Sequence, residues 1–389
     1  MGGRVAIADQ VTSRYTEADY ADFVHTGPGT LAGRYMRTFW QPVSRADDLP
    51  PGRAKPIRIM SEDFTLYRGE SGAAHLVAFR CAHRGTQLST GWVEGDSIRC
   101  FYHGWKYDAN GRCIEQPAEP TPFCERIRVR SYPTEEYLGI IFAYLGEGQA
   151  PPLPRYPAME KPGVFRLGVS LIACNFFNVL DNDSTHGEFA HSRGRPRTPA
   201  RQSVEETEWG LAEISTYPDG WQRVKQWGMP NVDRIDAPAQ DDWPTGYDTV
   251  SWKVPVDDEH TYHFSQHLMR DPKFHLERAG YSSELVEEIL TGKLRIQDLY
   301  EDPDPSISLT PLEHSICQVG QGPIADRAQE NLGASDIVVI TFRKLWTREL
   351  QALADGRPLR QWQYSDDLLL SPRWEQSRRW TNPAIPTAS

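Results

Sequence analysis

The chain has 389 residues, of which 39% are hydrophobic and 24% charged, so it has enough apolar material for a buried core and too little charge for a disordered chain. With 53 acidic and 42 basic residues its net charge is −11, which argues against a nucleic-acid partner because phosphate binding needs a basic face. The length suggests two or three domains, and the 30 glycines and 30 prolines favour short strands joined by turns.

No targeting or membrane segment is evident in the sequence. The first residues lack the apolar core of a signal peptide. The longest apolar run, residues 137–145, is far shorter than the ~20 residues that a membrane helix requires, and a buried strand explains it better. We therefore expect a cytoplasmic protein without a membrane partner.

Residues 35–150 are predicted to form an all-β domain, preceded by an N-terminal extension over residues 1–34. Apolar and polar residues alternate at 57–59 and 64–67, as expected for half-buried strands. The proline-rich stretch at 151–157 disfavours a helix and is typical of a linker, so we place a domain boundary near residue 150.

Residues 151–389 show a different pattern, which mixes strands and helices. The predicted elements are a strand at 164–174, an interrupted helix at 176–191, strands within 250–269, and helices at 283–300 and 336–355. This pattern indicates an α+β domain in which helices pack against a sheet.

Two cysteines and two histidines are spaced as metal ligands in the N-terminal region. Cys81 and His83 lie two residues apart, and Cys100 and His103 lie three apart, so each pair can reach one metal from a tight loop. The four side chains suit a zinc ion, or a [2Fe-2S] cluster with both thiolates on one iron and both imidazoles on the other. Because each loop mixes Cys with His, whereas zinc fingers group like ligands, the spacing favours the cluster.

The segments around these residues resemble a known family. Residues 81–85 (CAHRG), 99–108 (RCFYHGWKYD) and 111–120 (GRCIEQPAEP) resemble the Rieske motif of ring-hydroxylating oxygenase α subunits, with Ala82 in place of the usual proline. The resemblance implies an α+β fold. It comprises an N-terminal all-β Rieske [2Fe-2S] domain, whose cluster is bound by the four residues named above, and a C-terminal catalytic mononuclear iron domain with helices on an antiparallel sheet.

A second motif, D-x2-H-x4-H, spans residues 183–191. By the resemblance, His186 and His191 are ligands of a mononuclear Fe(II). Residues five apart lie about 140° apart around an ideal helix, so one of these ligands must come from a distorted turn. The resemblance also implies that Asp183 is an electron bridge between His103 of the partner subunit and His186, an arrangement that requires a homotrimer or a hexamer.

The third iron ligand departs from the family pattern. Two segments between residues 321 and 336 resemble the phthalate-dioxygenase-type branch, whose third ligand is an aspartate a few residues earlier. At that position this chain has His314, next to Glu313. Position favours His314 and charge favours Glu313, and a nearby aspartate, Asp302 or Asp304, is a further alternative.

Other residues show weaker patterns. Strand alternation would place His263 and His267 on one face, which the substrate pocket could use. Arg201, Arg223 and Lys225 are candidates for binding a substrate carboxylate. The remaining cysteines have no ligand-type partner and are predicted to be buried: Cys113, Cys124, Cys174 and Cys317.

The sequence therefore predicts the terminal oxygenase component of a Rieske system. The resemblance implies that electrons from NAD(P)H pass through a flavin or iron–sulfur reductase to the cluster. It also implies that O2 is used to hydroxylate or O-demethylate an aromatic compound, which often carries a carboxylate. An iron–sulfur electron carrier or sensor without oxygenase activity and a zinc-stabilised binding protein are the alternatives.

Overall fold

Four antiparallel sheets and six α-helices form within the part of the chain that the structure describes. This structure, a computed structural model, describes residues 21–184, 201–216, 222–237, 247–269, 282–302, 304 and 306–364. Three sheets lie in the N-terminal half of the chain, and the fourth lies with most of the helices in the C-terminal half.

The N-terminal region is built from strands, as predicted. In chain order they are β1 (Trp40–Arg45), β2 (Ala54–Ile59), β3 (Glu62–Arg68), β4 (Ala74–Ala78), β5 (Trp92–Glu94), β6 (Ser97–Arg99), β7 (Lys106–Tyr107), β8 (Cys113–Glu115), β9 (Ser131–Tyr132), β10 (Thr134–Tyr137) and β11 (Ile140–Tyr144). The three sheets have the strand orders β1-β11-β10, β2-β3-β4-β9 and β5-β6-β7-β8. All residues of β11 are buried, which confirms a buried strand within the apolar run at 137–145.

The C-terminal region contains one seven-stranded sheet among the described residues. Its strands are β12 (Val164–Ile172), β13 (Arg201–Glu206), β14 (Gly210–Thr216), β15 (Gln222–Gly228), β16 (Val232–Ala237), β17 (Tyr247–Pro255) and β18 (Thr261–Met269). Their order is β12-β18-β17-β16-β15-β14-β13. The strand predicted at 164–174 is confirmed as β12, and the strands predicted within 250–269 are the hairpin of β17 and β18.

Of the six described α-helices, one precedes the large sheet in the chain, one lies between its first two strands, and four follow it. They are α1 (Leu31–Met36), α2 (Phe176–Ser184), α3 (Ser283–Leu290), α4 (Ile296–Glu301), α5 (Leu309–Val319) and α6 (Ile337–Ala354). The helix predicted at 283–300 is divided into α3 and α4, because the chain turns at Gly292 with a φ of +76°, a conformation that ends helices. Within the described ranges, no helix has the length and apolar character to cross a membrane.

The large sheet has two different faces. Val232 pairs directly with Trp252, so both side chains lie on one face, which meets the N-terminal region where Trp252 packs edge-on against Phe142 at a centroid distance of 5.4 Å. Trp227 points to the opposite face and lies 6.0 Å from the ring of Phe342 on α6. Helix α6, with α2 beside it, therefore covers this second face, here called the helix-covered face.

The N-terminal and C-terminal regions share one apolar core. The ring of Phe23, before α1, stacks on Phe177 of α2 with 4.0 Å between centroids. Tyr156 packs between the two regions, with its ring near those of Tyr137 and Trp252. The domain boundary near residue 150 stays a prediction.

Candidate active site

Two loops with the same hydrogen-bond pattern carry the four predicted cluster ligands. In each loop the cysteine N–H donates to the carbonyl five residues later at 2.8 Å. The N–H of the glycine four residues later donates back to the cysteine carbonyl, at 2.9 Å for Cys81 and 3.1 Å for Cys100. Gly85 and Gly104, the two glycines, have φ values of +77° and +73°, which explains why these turns favour glycine.

The loops bring the four side chains together as two pairs. Cys81 and Cys100 are buried in one apolar cluster, and the nearby Cys81 thiol contributes to raising the pKa of Cys100. The rings of His83 and His103 lie edge to face at a centroid distance of 4.6 Å, on a less buried side of the loops. In the described ranges, no group of three or more Cys, His, Asp or Glu side chains is arranged to hold a single metal ion, either at these loops or elsewhere. Two thiolates beside two imidazoles are the donor set of a Rieske-type [2Fe-2S] cluster.

The chemistry of these donors fits such a cluster. His83 Nδ1 is buried and has no hydrogen-bond partner among the described residues, so a bond to iron would satisfy it. Burial, followed by the positive charges of His83 and Arg84, lowers the pKa of His103, which keeps the imidazole in the neutral form that binds metals. Burial raises the pKa of Cys100, and the nearby backbone N–H groups of Tyr102 and His103 oppose this shift. Such N–H donors stabilise a cluster sulfur.

The aromatic side chains of Tyr107 and Trp105 each contact one of the predicted ligands. The Tyr107 hydroxyl lies 3.1 Å from Cys81 Sγ and accepts a hydrogen bond from the Ala82 N–H at 3.2 Å. Because the hydroxyl accepts from Ala82, its own proton is available to the sulfur. The Trp105 ring stacks on His83, with 4.4 Å between centroids and 8° between planes. These contacts fix one ligand of each type.

An ion-pair cluster braces the sheet that carries the second loop. Arg99 donates from Nε and Nη2 to both carboxylate oxygens of Glu94, at 2.7 and 2.9 Å, and from Nη2 to Glu115 at 2.7 Å. Its Nη1 donates to the Gly104 carbonyl at 2.9 Å, and Lys106 Nζ lies 3.1 Å from Glu94. Hydrogen bonds from Arg99 and Lys106 lower the pKa of Glu94 to about 2.

Exposed aromatic side chains surround the cluster loops. Trp92, Phe101 and Tyr102, here called the tip patch, are 52%, 60% and 57% exposed. The rings of Trp92 and Phe101 are 5.3 Å apart, and Tyr102 lies 3.7 Å from the ring of His103. Contiguous exposed apolar side chains of this kind mark contact sites for other proteins.

Helix α2, which leads towards the predicted iron ligands, is fixed at its start by Asn175 and one turn later by the side chain of Asn178. The N–H of Asn175 donates to the Pro323 carbonyl at 2.7 Å. The Asn178 side chain donates to the Gly322 carbonyl at 2.9 Å and accepts from the Ala325 N–H at 3.1 Å. One part of the segment between residues 321 and 336 that resembles the family therefore anchors α2.

A buried ion-pair network continues this contact at the next turn of α2. The Asp181 carboxylate accepts hydrogen bonds from Nη2 of Arg327 at 2.9 Å and of Arg343 at 2.7 Å, and Arg343 also pairs with Glu330. The Asp181 and Arg343 side chains are only 10% and 2% exposed. Burial opposes the charge of Arg343, but attraction to Asp181 and Glu330 outweighs it and raises the pKa of this guanidinium. The network ties α2 to α6.

Three predicted site residues lie at or beyond the end of α2. Asp183 belongs to the last turn of the helix, and its side chain lies outside the described residues. His186 and His191 also lie outside the described residues. Their roles stay predictions.

The candidates for the third iron ligand lie in different surroundings. His314 is half-buried and Glu313 is buried on α5, which packs beside α2. The Tyr300 hydroxyl, on α4, donates to Glu313 Oε1 at 2.8 Å. Asp302 and Asp304 are exposed, so their side chains lie in water rather than in a closed site.

Buried polar side chains line the helix-covered face of the large sheet. Lys253 forms an ion pair with Asp233, and both side chains are at most 3% exposed. The Lys253 ammonium also donates to the Ser251 hydroxyl at 3.0 Å. On the neighbouring strand β15, Lys225 is buried with its ammonium 4.2 Å from the centroid of the Trp227 ring.

Two histidines of β18 share this face, as predicted. His263 pairs with Lys253 and His267 pairs with Thr249, which places both imidazoles on the helix-covered side. His267 bonds through Nδ1 to the Thr249 hydroxyl and through Nε2 to the Ser265 hydroxyl, each at 2.8 Å. The face thus offers hydroxyl, imidazole and ammonium groups below α2.

Sequence reasoning missed some of these features and misjudged one cysteine. The polar stripe Asn175, Asn178 and Asp181 has a helical period that could have been read from the sequence. The Asp233–Lys253 pair depends on strand register, which no local signal gives. Cys113 and Cys174 are buried as predicted and Cys124 is half-buried, whereas Cys317 is exposed. The prediction for Cys317 is wrong because α5 turns this position away from its buried side.

Similarity to known proteins agrees with this geometry. Residues 39–133 match the family model described as a Rieske [2Fe-2S] domain. The 5,5'-dehydrodivanillate O-demethylase oxygenase subunit of Sphingobium sp. (strain NBRC 103272 / SYK-6) is 29% identical over 359 residues, which cover 85% of this chain and 79% of that protein. The tert-butanol monooxygenase / tert-amyl alcohol desaturase oxygenase subunit of Aquincola tertiaricarbonis is 30% identical over 401 residues, which cover 92% of this chain and 82% of that protein.

A solved structure shares the fold. The terminal oxygenase of carbazole 1,9a-dioxygenase from Novosphingobium sp. KA1 superposes with a TM-score of 0.62 at 19% identity, over 86% of this chain and 97% of that chain. The predicted fold class, an N-terminal Rieske β domain followed by helices on an antiparallel sheet, is confirmed. The chain belongs to the Rieske non-haem iron oxygenases, as a terminal oxygenase subunit.

Proposed function

We propose that this oxygenase subunit hydroxylates or O-demethylates an aromatic compound that carries oxygen substituents. The observation that carries the proposal is the polar helix-covered face below α2, where the buried Ser251 hydroxyl and the half-buried His267 imidazole lie beside the Lys253–Asp233 ion pair. A carboxylate or methoxy oxygen of the substrate would be oriented by such groups. The Sphingobium relative is by name an O-demethylase, which supports the second of the two reactions.

The catalytic iron would be held at the end of α2. His186, His191 and His314 would bind a mononuclear Fe(II), which supplies the reduction of O2 when it is bound. The hydrogen bond from Tyr300 turns the Glu313 carboxylate towards α4, and this supports His314 as the third ligand with Glu313 as the alternative. The Asp181 network would keep α2 in place while these ligands bind.

Electrons would reach the iron across a subunit boundary. In this proposal they come from NAD(P)H through a flavin or iron–sulfur reductase to the cluster. Asp183 then joins His103 of the partner subunit to His186, because a carboxylate bonded to two imidazoles orients both rings. The exposed tip patch supports a homotrimer or hexamer, since a neighbouring subunit would cover these three aromatic side chains.

Product analysis tests the reaction. The purified oxygenase, supplied with a flavin reductase and NADH, is incubated with 4-methoxybenzoate and with benzoate. Release of formaldehyde from the first indicates O-demethylation, and a hydroxylated product or diol from either indicates hydroxylation. Iron analysis accompanies the assay, because an oxygenase carries three irons per chain and an electron carrier two. Two irons and no product with any aromatic acid would contradict the proposal.

A matched pair of variants on α5 tests the third ligand. His314→Ala is expected to lose the mononuclear iron and its turnover, while the cluster absorbance stays unchanged. Glu313→Gln, on the adjacent position, is expected to keep the iron because its amide still accepts from Tyr300. The reverse result, iron lost in Glu313→Gln and kept in His314→Ala, would assign the site to Glu313.

A further inference from the structure

A pocket lies between the N-terminal region and the large sheet. It has a volume of about 400 Å³. Trp40 of β1 and Phe142 of β11 line it from the N-terminal region, and Val232 and Trp252 line it from the sheet. The segment after α6 closes a third side with Trp362. The pocket therefore depends on three parts of the chain that are distant in sequence.

The pocket is separate from the predicted iron site. Val232 and Trp252 pair directly and face the pocket, so the pocket is on the side of the sheet that lies away from α2 and α6. The side chain of Trp227 points to the other side, where it meets Phe342 of α6. The thickness of the sheet thus lies between the pocket and the helix that leads to His186.

The walls of the pocket are apolar and aromatic. Two of its tryptophans direct their polar atoms into the protein, because Trp40 Nε1 donates to the Pro151 carbonyl at 2.7 Å and Trp362 Nε1 donates to the Tyr35 hydroxyl at 3.0 Å. These indoles therefore present ring surface rather than hydrogen-bonding groups. Ring surface binds other rings by stacked or edge-on contacts.

Among the described residues that line the pocket, Arg360 carries a guanidinium, which is already paired. Arg360 forms an ion pair with Glu206 and donates from Nη2 to the Thr207 carbonyl at 2.9 Å. Its guanidinium carbon lies 4.3 Å from the centroid of the Trp362 ring. An anionic ligand would have to compete with the Glu206 carboxylate, so the lining favours a neutral molecule.

We propose that this pocket binds a neutral aromatic molecule of one or two rings, at a site distinct from the catalytic iron. An apolar cavity of roughly 150 Å³ suffices for benzene, and small-molecule sites begin at roughly 300 Å³. A ring bound here would lie against the edge-on pair of Phe142 and Trp252, and so it would contact both the cluster-bearing region and the sheet. The site goes beyond the proposed oxygenase reaction and does not depend on it.

Equilibrium dialysis with naphthalene tests the site on the purified full-length oxygenase without reductase. We expect saturable binding of one naphthalene per chain that persists in His314→Ala, and binding of 2-naphthoate that is at least about tenfold weaker because its charge must be desolvated. Leu359→Trp adds a large ring at the pocket wall and is expected to weaken naphthalene binding at least about tenfold. Leu353→Trp is the matched control, since Leu353 is a half-buried leucine of the same core outside the pocket lining.

Four results would overturn the proposal. One is no saturable binding of naphthalene up to its solubility, and a second is equal binding of naphthalene and 2-naphthoate. A third is binding that Leu359→Trp leaves unchanged, which would place the ligand elsewhere, including the catalytic pocket. The fourth is binding that appears only after Leu368, Leu369 and Leu370 are changed together to serine, which would make the C-terminal residues the natural occupant. Because no turnover is measured, none of these results depends on the proposed oxygenase reaction.

Discussion

The cluster loops are held by contacts between residues close in sequence, whereas the helix that leads to the predicted iron site is held by contacts between residues far apart in sequence. The loops are closed by backbone hydrogen bonds between residues four or five apart, with Gly85 and Gly104 at the turns. Helix α2 is held by side chains from distant parts of the chain, since Asp181 binds Arg327 and Arg343. One site is local in sequence, whereas the other depends on the completed tertiary structure.

Because of this difference, the two sites have different requirements for their formation. The cluster needs its four ligands and two tight turns, all within residues 81–105. The iron helix needs a buried network in which each charge is compensated by a partner, and a buried charge that loses its partner is strongly destabilising. We therefore expect a substitution at a cluster ligand to affect the cluster and not the stability of the fold. A substitution in the network should lower the free energy of unfolding and also affect the iron site.

Replacing a cluster ligand should give the largest effect on activity with the smallest effect on the fold. Cys100→Ala is expected to remove the visible absorbance of the cluster and to reduce turnover to background, because one iron loses half of its protein donors. The mononuclear iron should remain, since its predicted ligands lie outside residues 81–105. Visible spectra and iron analysis of the same preparation measure both effects.

Cys113→Ser is the control for this substitution. Cys113 is buried in the same apolar cluster as Cys81 and Cys100, but its thiol donates to the Glu115 carbonyl and not to the predicted metal site. The cluster absorbance and the turnover of the Cys113→Ser variant should stay close to those of the unmodified protein. Loss of both metals in Cys100→Ala would contradict the separation of the two sites.

The same difference explains what the sequence could predict. The predicted ligands Cys81, His83, Cys100 and His103 could be named from the sequence because each Cys–His pair lies within four residues and the surrounding residues resemble the Rieske motif. The third iron ligand was left open between His314 and Glu313, because the direction in which α5 presents each residue depends on how it packs against α2. Trp40, Trp252 and Trp362 come from three distant segments, so no periodic pattern could have predicted the pocket that they line.

Removal of the carboxylate at the centre of the network that holds α2 should destabilise the fold. Asp181→Asn leaves Arg327 and Arg343 without their shared carboxylate, and it is expected to lower the free energy of unfolding by about 3–5 kcal/mol. We also expect a lower content of mononuclear iron, because α2 is no longer fixed near its C-terminal end. Denaturant unfolding and iron analysis measure the two effects, while the cluster spectrum should be retained.

A substitution at an exposed ion pair calibrates this result. Asp63→Asn removes the nearer carboxylate partner of Arg58, and the Asp63 and Arg58 side chains are 44% and 43% exposed. The expected loss is at most about 1 kcal/mol, because water screens an exposed pair. If Asp181→Asn costs no more than Asp63→Asn, the network does not anchor α2.

In the cluster loops, a single hydrogen bond should tune the electron affinity of the cluster. Tyr107→Phe removes the hydroxyl that lies 3.1 Å from Cys81 Sγ. Hydrogen bonds to sulfur favour the reduced cluster, so their loss lowers the reduction potential. A bond of about 1 kcal/mol corresponds to roughly 40 mV for a one-electron couple. A spectroscopic redox titration measures the shift.

Tyr67→Phe is the control for this potential. Tyr67 is buried in the same apolar cluster, but its hydroxyl donates to the Asp96 carbonyl at 3.2 Å. The substitution removes a hydrogen bond of similar strength that does not reach a predicted cluster ligand. Equal shifts in the two variants would show that packing, and not the bond to Cys81, sets the potential.

The smallest effect is expected from the exposed ion pairs that brace the second cluster loop. Hydrogen bonds from Arg99 and Lys106 lower the pKa of Glu94 from 4.5 to about 2. Because the folded pKa lies below the unfolded one, this carboxylate stabilises the fold above about pH 4.5, and its contribution is lost as the pH falls through about 2. Its side chain is 40% exposed, so solvent screening keeps the contribution below about 1 kcal/mol.

The difference in melting temperature between the unmodified protein and Glu94→Gln isolates this contribution. It should be constant from pH 7 to about pH 5 and should shrink as the pH falls from about 4.5 towards 2, because the unfolded chain then binds a proton that the folded chain does not. Taking a difference at each pH cancels the effect of acid on the cluster ligands, which both proteins share. Glu125→Gln, at an exposed side chain paired only with its neighbour Arg126, should give no such trend. If the difference for Glu94→Gln grows as the solution becomes more acidic, then Arg99 does not hold the loop through this carboxylate, and its bond to the Gly104 carbonyl alone must do so.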